Sequence, residues 1–246
     1  MKNVDPSPFG ITRAGAVLRQ GLAVSPFPGQ YGECKKCITR SKIVIKMQPQ
    51  SFLDAYSPTL PPVVAAIHAD TVAMGFTMAS TDTTGRMLRT LVASKPGGRI
   101  LELGTGTGLG AAWLLDGMDA AATLDTVDKD PDCVAVARKN LGNDPRVRFH
   151  IESGSTFLRG LKDHRYDLIF ADTWPGKFDC LDDALALLAI GGFYVIDDLH
   201  PQPNWPADHA PKVSNLVRAL AGRPDLVPWL IDWDTGIVVA VKRATP

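Results

Sequence analysis

From Arg99 onward, short runs rich in β-branched and aromatic residues alternate with stretches of helical character, and no other feature restricts the fold so tightly. Arg99 to Leu103, Thr123 to Val127, Val147 to Ile151, Asp167 to Ala171 and Phe193 to Ile196 read as strands. Leu109 to Leu115, Pro131 to Leu141, Ser155 to Leu161 and Cys180 to Leu188 fit between them as helices. Strict alternation predicts an α/β fold with a mostly parallel, doubly wound sheet. The habit changes at the end, where Leu226 to Ile231 and Ile237 to Val241 are separated only by Asp232-Trp-Asp-Thr-Gly236. A connection that short closes an antiparallel hairpin and cannot hold a parallel crossover.

Regular pattern begins upstream of the sheet. Ser51 to Tyr56 opens it, and Pro61-Pro62 starts an apolar helix running through Met74. Thr81-Asp82-Thr83 can cap a further helix whose Met87, Leu88, Leu91 and Val92 share one face, and Pro96-Gly97-Gly98 ends it. With 246 residues and 45% hydrophobic content, the chain can bury a real core, which excludes a disordered or disulfide-stapled protein.

The net charge of zero conceals an asymmetry. Residues 1–46 hold 8 Lys/Arg and 2 acids, leaving 18 Lys/Arg and 24 acids for residues 47–246. A body of that sign repels phosphate backbones, so nucleic acid is not an expected partner of the main domain. The basic segment 1–46, with Pro6, Pro8, Pro26, Pro28 and five glycines, reads as a weakly structured extension preceding one domain over 47–246. Cys34-Lys-Lys-Cys37 lacks the second ligand pair a zinc site needs, and no βαβ unit stands beside it for a redox role. Ile11 to Ser25 faintly resembles an organelle transit segment, although Met47 is an equally good start. Four sparse cysteines and apolar runs too short to span a bilayer favour a cytoplasmic, membrane-free protein.

Chemistry concentrates at the strand ends. Ile100-Leu-Glu-Leu-Gly-Thr-Gly-Thr-Gly108 puts Gly104, Gly106 and Gly108 between the first strand and its helix, where backbone must approach a nucleotide-type ligand closely. The frame Gly106 to Ala111 also satisfies the dinucleotide rule, so an NAD-dependent oxidoreductase is a rival reading. Three features oppose it: Gly104 comes first after the strand, Glu102 sits within the strand, and the sheet ends in a hairpin. Asp128, about twenty residues on, is placed to accept from a ribose diol; Asp130 before Pro131 is the better helix cap.

Glu102 to Gly108 followed by Asp128 resembles motif I and its partner acid in the class I S-adenosylmethionine-dependent methyltransferases. The likeness covers about residues 75 to 242. It implies a Rossmann-like seven-stranded sheet with an antiparallel last strand. It also implies S-adenosyl-L-methionine as cofactor, held by Glu102, Gly104, Gly106, Gly108 and Asp128, with Ser153, Gly154 and Ser155 near adenine. A plain turn and helix cap is the other reading of those last three.

Tyr166-Asp-Leu-Ile-Phe-Ala-Asp172 and Gly191-Gly-Phe-Tyr-Val-Ile-Asp-Asp198 both end strands on carboxylates. Three converging acids repel unless protonated or neutralised by a cation, and oxygen ligands suit Mg²⁺. The arrangement is similar to the cation-dependent O-methyltransferases of the catechol and caffeoyl-CoA type. That likeness implies Asp172, Asp197 and Asp198 as ligands of Mg²⁺ or another divalent cation, with Asp172 also beside the cofactor. Ser80-Thr-Asp-Thr-Thr-Gly85 resembles their cofactor-covering segment. The sequence departs from them where Asn is expected at Asp198, Lys at Pro175 and Tyr at Phe178.

Lys177 is therefore the expected catalytic base, against a solvated surface lysine, and His200 is a second catalytic candidate, against a loop histidine held by local hydrogen bonds. Trp174 and Trp205 flank an expected acceptor pocket. His68, His150, His164 and His209 read as structural or exposed, Trp229 and Trp233 as packing residues, and Cys133 and Cys180 as chemically silent. The expected function is O-methylation of a small-molecule hydroxyl, by a monomer or a homodimer. A non-catalytic cofactor-binding domain of the same fold is the remaining alternative.

Overall fold

The computed structural model describes residues 60–161, 165–202, 205–206 and 208–245. The expected extension over 1–46, Cys34 and Cys37, the segment Ser51 to Tyr56 and His164 lie outside them. The elements run α1 (Pro62–Met74), α2 (Asp82–Ala93), β1 (Arg99–Leu103), α3 (Leu109–Gly117), β2 (Thr123–Asp128), α4 (Pro131–Leu141), β3 (Val147–Ile151) and α5 (Gly154–Gly160). Then follow β4 (Tyr166–Ala171), α6 (Leu181–Leu187), β5 (Leu188–Ile196), α7 (His209–Ala221), β6 (Leu226–Ile231) and β7 (Ile237–Lys242).

The seven strands form one sheet in the order β3-β2-β1-β4-β5-β7-β6. Pairs from β3 through β5 are parallel, and β7 runs antiparallel to both β5 and β6. The order reverses between β1 and β4, which opens a crevice at their C-terminal ends. Two apolar layers cover the sheet. One packs Leu88, Trp113, Leu114 and Phe170 with α1 to α3; the other packs Leu103, Ile169, Tyr194 and Leu220 with α5 to α7. Helix α3 is buried from Leu109 to Leu115, so its sequence is apolar all round rather than amphipathic.

Local rules account for most ends. Thr81 caps α2 by accepting from the Thr84 amide at 3.1 Å, and Asp130 caps α4 by accepting from Asp132 and Cys133. Three expectations need correction. Strand β5 begins at Leu188, because Leu188 pairs with Tyr166 across a register shift and Gly191, at φ 79°, lets the strand continue instead of turning. Helix α7 was not expected; Val213, Leu216 and Leu220 bury its inner face, and Pro211 falls in the first turn, where a missing N–H costs little. Trp229 and Trp233 do not pack inside the hairpin but stand 67% and 44% exposed. Among the described residues, no helix is long and apolar enough to cross a membrane.

Candidate active site

A cavity of about 560 Å³ opens at the C-terminal ends of β1, β2, β4 and β5. Its floor is the glycine loop. Gly104 has φ 104°, and a Cβ there would sit 2.7 Å from the carbonyl oxygen of Asp172, so only glycine fits between the two strand ends. Below the loop, Thr126 donates to Glu102 Oε2 at 2.6 Å, and its Oγ1 lies 2.6 Å from Thr105 Oγ1. Thr71 donates to Thr107 at 2.8 Å from α1. From above, the Gly106 amide donates to Asp128 Oδ2 at 2.9 Å, which ties the tip of β2 to the loop.

Sequence-predicted residues divide into those that reach the cavity and those that do not. Gly104, Gly106, Asp128, Asp172, Lys177, Asp197 and Asp198 all line it. Glu102, Gly108, Ser153, Gly154 and Ser155 are not among its lining residues. Glu102 is 1% exposed beneath the loop, where burial raises its carboxyl to about 8, and its Oε1 has no hydrogen-bond partner among the described residues. Gly108 instead permits close packing, since a Cβ would lie 2.9 Å from Ala137 Cβ on α4. Gly154 likewise packs against Pro175. Glu102 and Gly108 thus support the loop from behind, through Thr126 and α4.

His200 sits at the chain's final turn. Its Nε2 lies 2.8 Å from Asp232 Oδ1 and its Nδ1 3.1 Å from the Asp234 carbonyl, which fixes it against the β6–β7 turn outside the cavity lining. His68 and His150 are engaged by Asp82 and Asp125, each at 2.9 Å. His209, read from sequence as structural or exposed, instead lines the cavity and is only 6% exposed.

Lys177 reaches the cavity because of the Pro-Gly turn that precedes it. The amides of Lys177, Phe178 and Asp179 all donate to the Trp174 carbonyl, between 2.8 and 3.1 Å. Gly176, at φ 84°, packs so tightly on the sheet that a Cβ would meet Leu103 Cδ1 at 2.4 Å, and the Tyr194 hydroxyl donates to its carbonyl. The turn is thereby pressed down, and Lys177 is left 4% exposed.

The carboxylates around it are individually tethered. Ser80, from the segment between α1 and α2, donates to Asp172 Oδ2 at 2.7 Å. Asp197 Oδ1 accepts from the Thr235 hydroxyl and, at 2.8 Å, from the Asp198 amide. Asp198 turns the chain in the left-handed region at φ 57°, a conformation Asp and Asn tolerate better than most residues. Burial, then the neighbouring Asp197, pushes the Asp172 carboxyl well above the usual range, while the Lys177 ammonium opposes the rise. Asp197 is raised for the same leading reason. Among the described residues, no group of three or more His, Cys, Asp or Glu side chains is disposed to hold a metal ion. Asp172, Asp197 and Asp198 thus share a cavity without forming the chelating set expected of them, and a lysine ammonium supplies the compensating positive charge.

Comparison with known proteins gives a consistent result. A family model described as a methyltransferase domain matches residues 101–199. A Mycobacterium ulcerans protein named "Putative O-methyltransferase" is 30% identical over 174 residues, covering 67% of this chain and 78% of that protein. A Mycobacterium avium protein of the same name is 31% identical over 174 residues with the same coverage. The O-methyltransferase TomG of Streptomyces achromogenes, involved in tomaymycin synthesis and solved in complex with SAM, superposes with a TM-score of 0.70 at 21% identity, over 79% of this chain and 96% of that one. An O-methyltransferase of Bacillus cereus solved with SAH gives 0.68 at 17% identity, over 79% and 96%. At those identities the two structures establish the likeness of fold.

Proposed function

This chain belongs to the O-methyltransferase family, and from that premise we propose that it transfers the methyl group of S-adenosylmethionine to a hydroxyl of a small molecule. The domain responsible is residues 47–246. The observation that carries the reading is the clasp between the Gly106 amide and Asp128 over a floor that admits only glycine, opening directly onto buried Lys177. The residues present fit that cofactor. Backbone at Gly104 and Gly106 leaves room for its methionine end, Asp128 offers carboxylate oxygens to a ribose diol, and the acids at the ends of β4 and β5 favour a sulfonium. The rival oxidoreductase reading loses its support, since family membership and the antiparallel β7 agree with methyl transfer.

When bound, the cofactor supplies an electrophilic methyl carbon whose bond to sulfur breaks, its electron pair staying on sulfur, as the bond to the acceptor oxygen forms. The protein must place that oxygen in line and remove its proton. Lys177 is the residue assigned to the acceptor oxygen, where its ammonium favours the oxyanion. The Asp172–Asp197 pair, whose burial raises its proton affinity, is the assigned proton acceptor. Ser80 holds Asp172 and Thr235 holds Asp197, so neither carboxylate must reorganise. Because the three acids do not form a chelating set, no step is routed through a divalent cation.

Calorimetric titration with S-adenosylmethionine, then methyl transfer to a panel of catechols, other phenols and aliphatic alcohols with Mg²⁺ or with EDTA, tests the proposal. Binding with turnover in EDTA is expected. No binding at millimolar cofactor by a folded protein overturns the reading; binding without any turnover reduces the chain to a cofactor-binding domain.

A further inference from the structure

The cavity holds an imidazole that the methyl-transfer scheme leaves idle. His209, the first residue of α7, is ringed by aromatic groups. Trp205 stacks on it at 4.0 Å, Phe178 meets it edge-on at 5.0 Å and Trp174 at 6.1 Å. It is 94% buried, and neither Nδ1 nor Nε2 has a hydrogen-bond partner among the described residues. Buried polar groups are seldom left unpaired in native proteins, and an orphan lining a cavity calls for a partner that a bound ligand or a water can supply.

The surroundings specify that atom. Burial and the ammonium groups of Lys177 and Lys212 depress the proton affinity of His209, so the ring is neutral and carries one N–H donor. Lys212, paired with Asp208 at 2.7 Å, lies 3.9 Å over the outer face of the aromatic wall at Trp174. A buried N–H donor without a partner, with the Lys177 ammonium on the same cavity lining, favours an electron-rich oxygen, and flanking indoles favour a flat molecule stacked or set edge-on.

We infer that His209 is a specificity-determining residue that donates to a carbonyl or carboxylate oxygen of a planar aromatic acceptor, at a position other than the hydroxyl being methylated, with Trp174 and Trp205 walling the ring. The word acceptor rests on the proposed methyl transfer; the binding site does not.

The test is direct binding of 3,4-dihydroxybenzoate and 4-methylcatechol, followed by calorimetry and by quenching of tryptophan fluorescence, with and without S-adenosylhomocysteine. The native protein is expected to bind the carboxylate probe about tenfold tighter than the methyl analogue. H209F should erase that preference and H209Q should retain part of it, both with melting temperature and S-adenosylhomocysteine affinity unchanged. In turnover, H209F should raise KM for the carboxylate probe and leave kcat within about twofold, the pattern of lost uniform binding. Equal affinities in the native protein, failure of both probes to bind, or a preference that survives in H209F overturns the inference. Failure to bind S-adenosylhomocysteine alone strikes the proposed function instead, since the probe measurements without it still decide the role of His209.

Discussion

The two halves of the cavity are built by different means. In the cofactor half the contacts are mainly backbone: Gly104 and Gly106 at positive φ, an amide clasped by Asp128, and Thr105 and Thr107 anchored below. In the acceptor half they are side chains brought from separate places, namely Lys177 and Trp174 from the turn after β4, Trp205 from the loop after β5 and His209 from α7. At Gly104 the first half admits no added atom, because the neighbour is a main-chain carbonyl that cannot move aside. The second half is adaptable, because side chains can be exchanged without disturbing the sheet.

Lys177→Met attacks the acceptor half and carries the largest expected effect. Loss of a group acting at the reacting oxygen should lower kcat by about 10²- to 10⁴-fold, while calorimetry shows cofactor affinity little changed. A parallel loss of cofactor affinity would erase the distinction between the halves. Gly104→Ala attacks the other half. Left-handed strain and the 2.7 Å approach to a backbone carbonyl should together cost about 3 kcal/mol, read as roughly a hundredfold weaker cofactor binding or as a lower melting temperature.

Glu102→Gln sharpens the comparison by touching only the support of the loop. The folded Glu102 carboxyl titrates near 8 against an ordinary 4.5, so its contribution is fully present below about pH 4.5 and is lost as pH rises through 8. Denaturant unfolding should show the native protein losing stability between pH 5 and pH 9 relative to Glu102→Gln, by on the order of 4 kcal/mol. A constant difference across that range would mean the carboxyl is not buried in its neutral form. His200→Ala should change kcat/KM by less than about twofold, since the ring is committed to Asp232 and the Asp234 carbonyl. A large loss would return His200 to the acceptor half.

Legibility followed the same division. The doubly wound parallel sheet was readable through the βαβ alternation, and the loop through its glycines, because both are matters of local backbone geometry. Glu102 and Gly108 were legible as members of the loop motif, but not their packing: one supports the loop through Thr126 and the other seats α3 against α4. Helix α7 was hidden by prolines at 203, 206 and 211, although Val213, Leu216 and Leu220 at helical spacing carried its signal. With α7 unseen, His209 had no address.

The sequence by itself determined the alternation that makes a doubly wound sheet, the hairpin that ends it, and a glycine loop with a carboxylate one strand away. Those features depend on neighbours along the chain, through φ preferences, periodicity and connection length. Only the tertiary structure decided that Lys177 is buried beside Asp172 and Asp197, that His200 is held outside, and that His209 is enclosed by three aromatic rings without a partner. Those outcomes depend on packing between segments distant in sequence, where a turn pressed onto Leu103 or a helix docked by Leu220 sets the direction of a side chain.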